Sequence, residues 1–188
     1  MGLIALLAVN KFFFEFEALP PRMLLAISPP TFAILLLLFY PKTRAFLVKI
    51  PIATLTYLHI IRVPVEIVLW WLYLGGLLPE LLTFEGINYD ILSGVTAPFI
   101  AIFAVGIKKK RRAIAFIWNI LALGLLINIV GHAILSAPTP FQQFAFDNPN
   151  TGVFYFPYIW LPAFVVPAVF FSHLVSFIKL LGEKEDLK

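Results

Sequence analysis

TLTYLHIIRVPVEIVLWWLYLGGLL, residues 54–78, is an apolar stretch long enough to cross a bilayer, and it carries His59, Arg62 and Glu66 near its middle. At a helical rise of about 1.5 Å per residue, roughly 20 apolar residues match a hydrocarbon core about 30 Å thick. Each ionisable side chain at that depth costs roughly 2.5–3.5 kcal/mol on insertion scales. Something must compensate for three of them. The stretch therefore predicts a helix that turns its charged face toward a polar, protein-lined interior.

Composition points the same way along the whole chain. Of 188 residues 61% are hydrophobic and 13% charged, with a mean hydropathy of +0.96. Soluble domains carry about 25% charged residues, so a water-soluble globule is excluded as the class. One domain, residues 1–188, accommodates the length. The chain has no Cys, which removes disulfides, thiolate metal ligands and Cys nucleophiles from consideration. A net charge of +4 would suggest nucleic acid in a soluble protein, but here its placement matters and no nucleic-acid partner is expected.

Working outward from residues 54–78, the runs of Leu, Ile, Phe and Ala predict an all-α, polytopic transmembrane bundle. Its five spans fall at about residues 23–40, 51–78, 90–107, 113–136 and 153–180. A membrane β-barrel would need alternating segments of about ten residues, which are absent. The connections alternate in sign. Lys42, Arg44 and Lys49 lie between the first two spans and Lys108, Lys109, Lys110, Arg111 and Arg112 between the third and fourth, whereas Glu80, Glu85 and Asp90 separate the second and third. The positive-inside rule puts loops 41–50 and 107–113 in the cytoplasm, with tail 181–188 beside them and the N-terminal segment outside. Residues 1–16, MGLIALLAVNKFFFEF, are interrupted by Lys11 and Glu15. They are expected to form a short sixth helix, an interfacial segment, or the remainder of a truncated longer helix.

Polar residues within the spans fall into stripes. Thr56, His59 and Arg62 follow an i, i+3, i+6 spacing with Glu66 four residues on, and Asn128, His132 and Ser136 repeat every four. Two inward stripes predict a pathway for a small solute, a proton or a lipid, lined by Arg62, Glu66, Asn128, His132 and His59, with Arg62 and Glu66 as its central charged pair. The bland alternative neutralises Arg62 against Glu66 within one helix and uses the amides and imidazoles to hold helices together. His59 and His173 fall at similar heights, the minimum needed for two axial ligands of a haem b, or for a quinone site. In LPELLTFEGINYDILSG, Glu85, Asn88 and Asp90 are expected to recognise a headgroup or cation from an outer lid; alternatively they serve as turns and caps, with Asp90 capping the third span. Prolines at 29, 30, 64, 98, 157, 162 and 167 predict kinks, or freed carbonyls that line a cavity.

Catalytic patterns are missing. There is no HExxH, no nucleophile-elbow Ser and no phosphate-binding glycine loop, so no catalytic residue and no metal site is expected and a non-enzymatic role leads. A haem- or quinone-binding redox subunit, and an accessory subunit that packs on a larger membrane complex or on further copies of itself, are the alternatives. The segments TYLHIIRVPVEIVLWWLYL, LTFEGINYDILSGVTAP, ILSAPTPFQQFAFDNPN and YFPYIWLPAFVVPAVFFSHL are similar to a family of small bacterial integral membrane proteins of uncharacterised function. The resemblance covers residues 20–178 and implies a place in the bacterial cytoplasmic membrane, with membrane lipid as a partner. It implies no activity, ligand or cofactor.

Overall fold

The computed structural model describes residues 2–106 and 111–182. Lys108, Lys109 and Lys110 of the expected basic loop, and residues 183–188 of the expected tail, lie outside the described residues. Among the described residues the chain is helical without a strand. We label the helices α1 (Gly2–Val9), α2 (Leu24–Phe39), α3 (Pro41–Leu47), α4 (Ile52–Leu74), α5 (Ile91–Val105), α6 (Arg112–Leu135) and α7 (Leu161–Gly182).

Three of these, α4, α6 and α7, are long and apolar enough to cross a membrane, with 23, 24 and 22 residues. Each rises about 33–36 Å. The other two expected spans are shorter. The 16 residues of α2 end at a 93° bend into α3, and α5 starts only after a loop that folds inward before it. The expected fifth span also loses its first turns, because Gly152–Phe154 form a separate buried 3-10 turn. At the N-terminus, the eight residues of α1 rise only about 12 Å. A left-handed Lys11, φ 56°, then turns the chain so that Phe14 packs on Phe154 and Tyr155.

Proline shapes the long helices in a legible way. Pro64 has no N–H for the carbonyl of Ile60 and its ring crowds that turn, and residues His59–Ile61 tighten into a 3-10 turn inside α4. In α7, a π-helical turn over Leu161–Val165 contains Pro162 and ends two residues before Pro167. A second π-turn, Ala101–Gly106, follows Pro98 in α5.

Three apolar clusters set the packing order. Ile52 and Ala115, near the starts of α4 and α6, meet Ala104 and Leu180, near the ends of α5 and α7, so neighbouring helices run antiparallel. Leu69 and Leu72 of α4, Leu126 and Ile129 of α6 and Val169 of α7 fill the middle, joined by Leu78 and Leu82 of the inward loop. Phe13, Ala26, Phe154 and Ile159 close the far end. The outside is apolar as well: Trp71, Phe99, Leu121 and Ile127 are all more than half exposed. Helices α4 and α5 approach closely at Gly94. A Cβ built on Gly94 would stand 2.8 Å from Val63 Cγ2 and 3.0 Å from the Val63 nitrogen, so only Gly fits there. Asp90 lies one turn before Gly94, which brings the start of α5 against Arg62.

Candidate functional site

Arg62 is 2% exposed, and both of its terminal nitrogens are hydrogen-bonded. One donates to Asp90 Oδ1 at 2.7 Å and to the Ala122 carbonyl at 2.9 Å, and the other reaches His173 Nε2 at 2.7 Å. His173 Nδ1 lies 2.7 Å from Asn119 Oδ1, an atom that only accepts, so Nδ1 carries the proton and Nε2 accepts from Arg62. The Asn119 amide nitrogen returns a hydrogen bond to the His173 carbonyl. Four helices thus meet at one guanidinium. Its Nε is buried without a partner.

One turn along α4, Glu66 is 1% exposed. Both its oxygens accept from the single Asn88 amide nitrogen, at 2.8 and 2.7 Å, while that nitrogen also donates to the Leu82 carbonyl at 3.0 Å. Two amide hydrogens serving three acceptors means that one N–H forks across the Glu66 carboxylate. Asn88 Oδ1 accepts from the Asp90 backbone N–H at 3.0 Å, which fixes the orientation of the amide. Beneath Arg62, His59 lies with its ring centroid 4.3 Å from that of His173 and its edge toward Trp118. Its Nε2 is 3.3 Å from Ser172 Oγ, whose own proton goes to the Leu55 carbonyl. His59 Nδ1 is left buried without a partner.

A cavity of about 280 Å³ opens beside these charges. Arg62, Glu66 and Asp90 form its inner end, and Val65, Leu69, Ile129 and Val169 belong to a long apolar wall. Its mouth is made by Leu24, Ile134 and Phe141, which are 47, 50 and 53% exposed. Charge thus sits only at the closed end, and the rest of the lining is apolar apart from Thr139 and Asn150.

Several sequence expectations require correction. Arg62 does not pair with Glu66; its ion pair is with Asp90, because the close approach at Gly94 brings that carboxylate to the guanidinium. Asp90 occupies the helix-capping position of α5 but makes no side-chain cap, its carboxylate being held by Arg62. Asn88 and Asp90 do not form an outward recognition surface, since both are buried against α4. Glu85 alone stays exposed. Asn128 and His132 do not line the cavity: they face another side of α6, where Asn128 donates to the Ile87 carbonyl and His132 stacks 5.3 Å from Phe144. The interior is accordingly a polar plug on an apolar hollow rather than a continuous polar pathway. His59 and His173 do meet, but their rings touch and His173 uses both nitrogens, so a haem plane has no room between them. Among the described residues no group of three or more His, Asp or Glu is placed to hold a metal ion. Sequence reasoning missed Ser172, whose only signal was its place beside His173 in an apolar run, and it missed the Ala122 carbonyl, which carries no side-chain signal at all.

Fold and site together define a class: an all-helical protein with membrane-length apolar helices, built around buried charges that close one end of an apolar cavity. The chain belongs to the family described as domain of unknown function DUF8737, whose model matches residues 20–181. No curated protein and no solved structure matches it.

Proposed function

We propose that the chain is an integral membrane protein that binds a lipophilic small molecule in the cavity ending at Arg62, Glu66 and Asp90. In this reading α2, α4, α5, α6 and α7 are five antiparallel spans, α2 and α5 shortened at the interfaces, and the loops carrying Lys42, Arg44, Lys49, Arg111 and Arg112 face the cytoplasm. The observation that carries it is the combination of an apolar mouth at Leu24, Ile134 and Phe141 with a charged floor. A polar solute would leave its hydration at that mouth without receiving hydrogen bonds in return. A lipophile enters without that cost and meets few polar groups, Thr139 and Asn150 besides the three charges, the pattern of small-molecule sites that are mostly apolar with a few placed polar groups. At about 280 Å³ the hollow is close to the lower end of such sites, roughly 300 Å³, so it takes a small lipophile or the head and first part of a longer one.

Photolabelling tests this. The reconstituted protein is exposed to a membrane-partitioning phenyl diazirine and the modified residues are mapped by mass spectrometry. Labels are expected on Leu69 and Val169, which are buried in the bundle, as well as on exposed Trp71 and Leu121. Ala133→Trp, which fills the cavity wall, should remove the first pair and keep the second. Labelling confined to the exposed residues would mean the hollow is not reached from hydrocarbon, and the reading would fall.

A further inference from the structure

The charged end of the cavity has acceptors to spare and almost no donors. Three of the four N–H groups on the two terminal nitrogens of Arg62 are directed at Asp90, Ala122 and His173, and both N–H groups of the Asn88 amide go to Glu66 and Leu82. What remains on the donor side is Arg62 Nε–H, buried without a partner, and the second N–H of the terminal nitrogen that meets His173. On the acceptor side, Glu66 receives one forked N–H across two oxygens, although a carboxylate offers about four lone-pair sites. Asp90 receives Arg62 on Oδ1 and no hydrogen bond from the described residues on Oδ2. Two carboxylates against one guanidinium also leave the end without spare positive charge.

We infer that the lipophile carries a hydroxyl head, an alcohol, phenol or hydroquinone, that donates to the Glu66 carboxylate and accepts from Arg62 Nε. This rests on the cavity reading above and adds the head chemistry to it. A hydroxyl is the smallest group that both donates and accepts, and it satisfies the orphaned Nε while using a free acceptor. A carboxylate head would bring a third anion beside Glu66 and Asp90, with two carboxylates already set against one guanidinium. An ammonium head would answer the second carboxylate but, having no acceptor, would leave Arg62 Nε unpaired. A bare alkane would leave both groups unsatisfied.

The experiment uses the full chain in lipid bilayers, with the phenyl diazirine reporting on Leu69 and Val169 and four competitors of equal tail: 1-decanol, decylamine, decanoate and decane, at matched mole fraction in the membrane. Decanol is expected to suppress the two labels about tenfold better than decane or decanoate, the order a single hydrogen bond to a charged group supplies. Glu66→Gln, which puts an amide donor where an acceptor stood, should abolish the decanol advantage and raise decanoate relative to it, with Leu69 and Val169 still labelled in the absence of competitor. Equal competition by decanol and decane would overturn the hydroxyl assignment and leave the lipophile cavity standing. Decanoate or decylamine as the strongest competitor would overturn it also, in favour of an anionic or cationic head. Competition by none of the four, or labels never present on Leu69 and Val169, would remove the cavity reading itself.

Discussion

Arg62 carries more of this structure than any other side chain, because a buried charge is tolerable only when its partners are in place. Its pair with Asp90 at 2.7 Å is enclosed on both sides, with 3 and 6% of the two side chains exposed. Removing one member of such a pair leaves an uncompensated charge and typically costs about 3–5 kcal/mol, while replacing both by apolar groups of similar volume is often neutral. Asp90→Ala is therefore expected to lower the thermal midpoint of the detergent-solubilised protein sharply, and Arg62→Met combined with Asp90→Leu should recover most of the loss. If the double variant is no more stable than Asp90→Ala, the pair is not the reason for the loss. At this scale the sequence was half legible. His59, Arg62 and Glu66 announce themselves as ionisable groups inside an apolar run, and helical rise alone puts His173 and Asn119 at the height of His59. The partners of Arg62 and Glu66 were not legible, because Asn88 and Asp90 stand in a loop, where no periodicity says which way a side chain turns.

Among the elements, the decisive contact is the one that lets α5 lie on α4. Gly94 has Val63 Cγ2 and the Val63 backbone nitrogen at 2.8 and 3.0 Å from where a Cβ would stand, whereas Gly124 in α6 has nothing within 4 Å. Gly94→Ala forces the helices apart beside the Arg62 and Asp90 pair and is expected to destabilise by about 1–3 kcal/mol, the usual range for overpacking. Gly124→Ala gains helix propensity without a clash and should be neutral or slightly stabilising. Thermal midpoints of the two variants, compared side by side, check this; equal effects would show that the α4 and α5 contact has slack that the geometry denies. The helices themselves were largely readable from hydropathy, yet their ends were not. Hydropathy extends the second span to residue 78, but Gly75 and Gly76, the latter at φ 69°, end α4 at Leu74. Likewise the apolar run from residue 153 is spent partly on a buried 3-10 turn, since aromatic residues pack into a loop as readily as into a helix. The prolines were visible as breaks, and the 3-10 turn before Pro64 and the π-turns beside Pro98 and Pro162 are the forms those breaks take.

For the molecule as a whole, the antiparallel order of helices is what successive apolar runs joined by short connections lead one to expect, while the cavity is not legible, because an apolar wall and an apolar core are spelled with the same residues. Only three-dimensional packing distinguishes Val65 or Ile129 beside a hollow from Leu72 in a filled core. The antiparallel order puts the loop before α4 and the start of α6 at one end, and the connections from α4 to α5 and from α6 to α7 at the other. If the whole molecule spans a membrane as proposed, these two ends must differ in access, and the basic one must be cytoplasmic. The absence of Cys makes this directly measurable, since any introduced thiol is unique. Glu85→Cys and Asp147→Cys, both at exposed positions, should react with a membrane-impermeant maleimide on intact cells, and Lys42→Cys, exposed at the opposite end, only after permeabilisation. The reverse pattern would invert the molecule in the membrane and put the cavity mouth, which lies near the end carrying Phe141, toward the cytoplasmic leaflet. Equal reaction of all three on intact, sealed cells would mean that the two ends are not separated by a bilayer, and neither the five-span arrangement nor entry of a lipophile from hydrocarbon would survive.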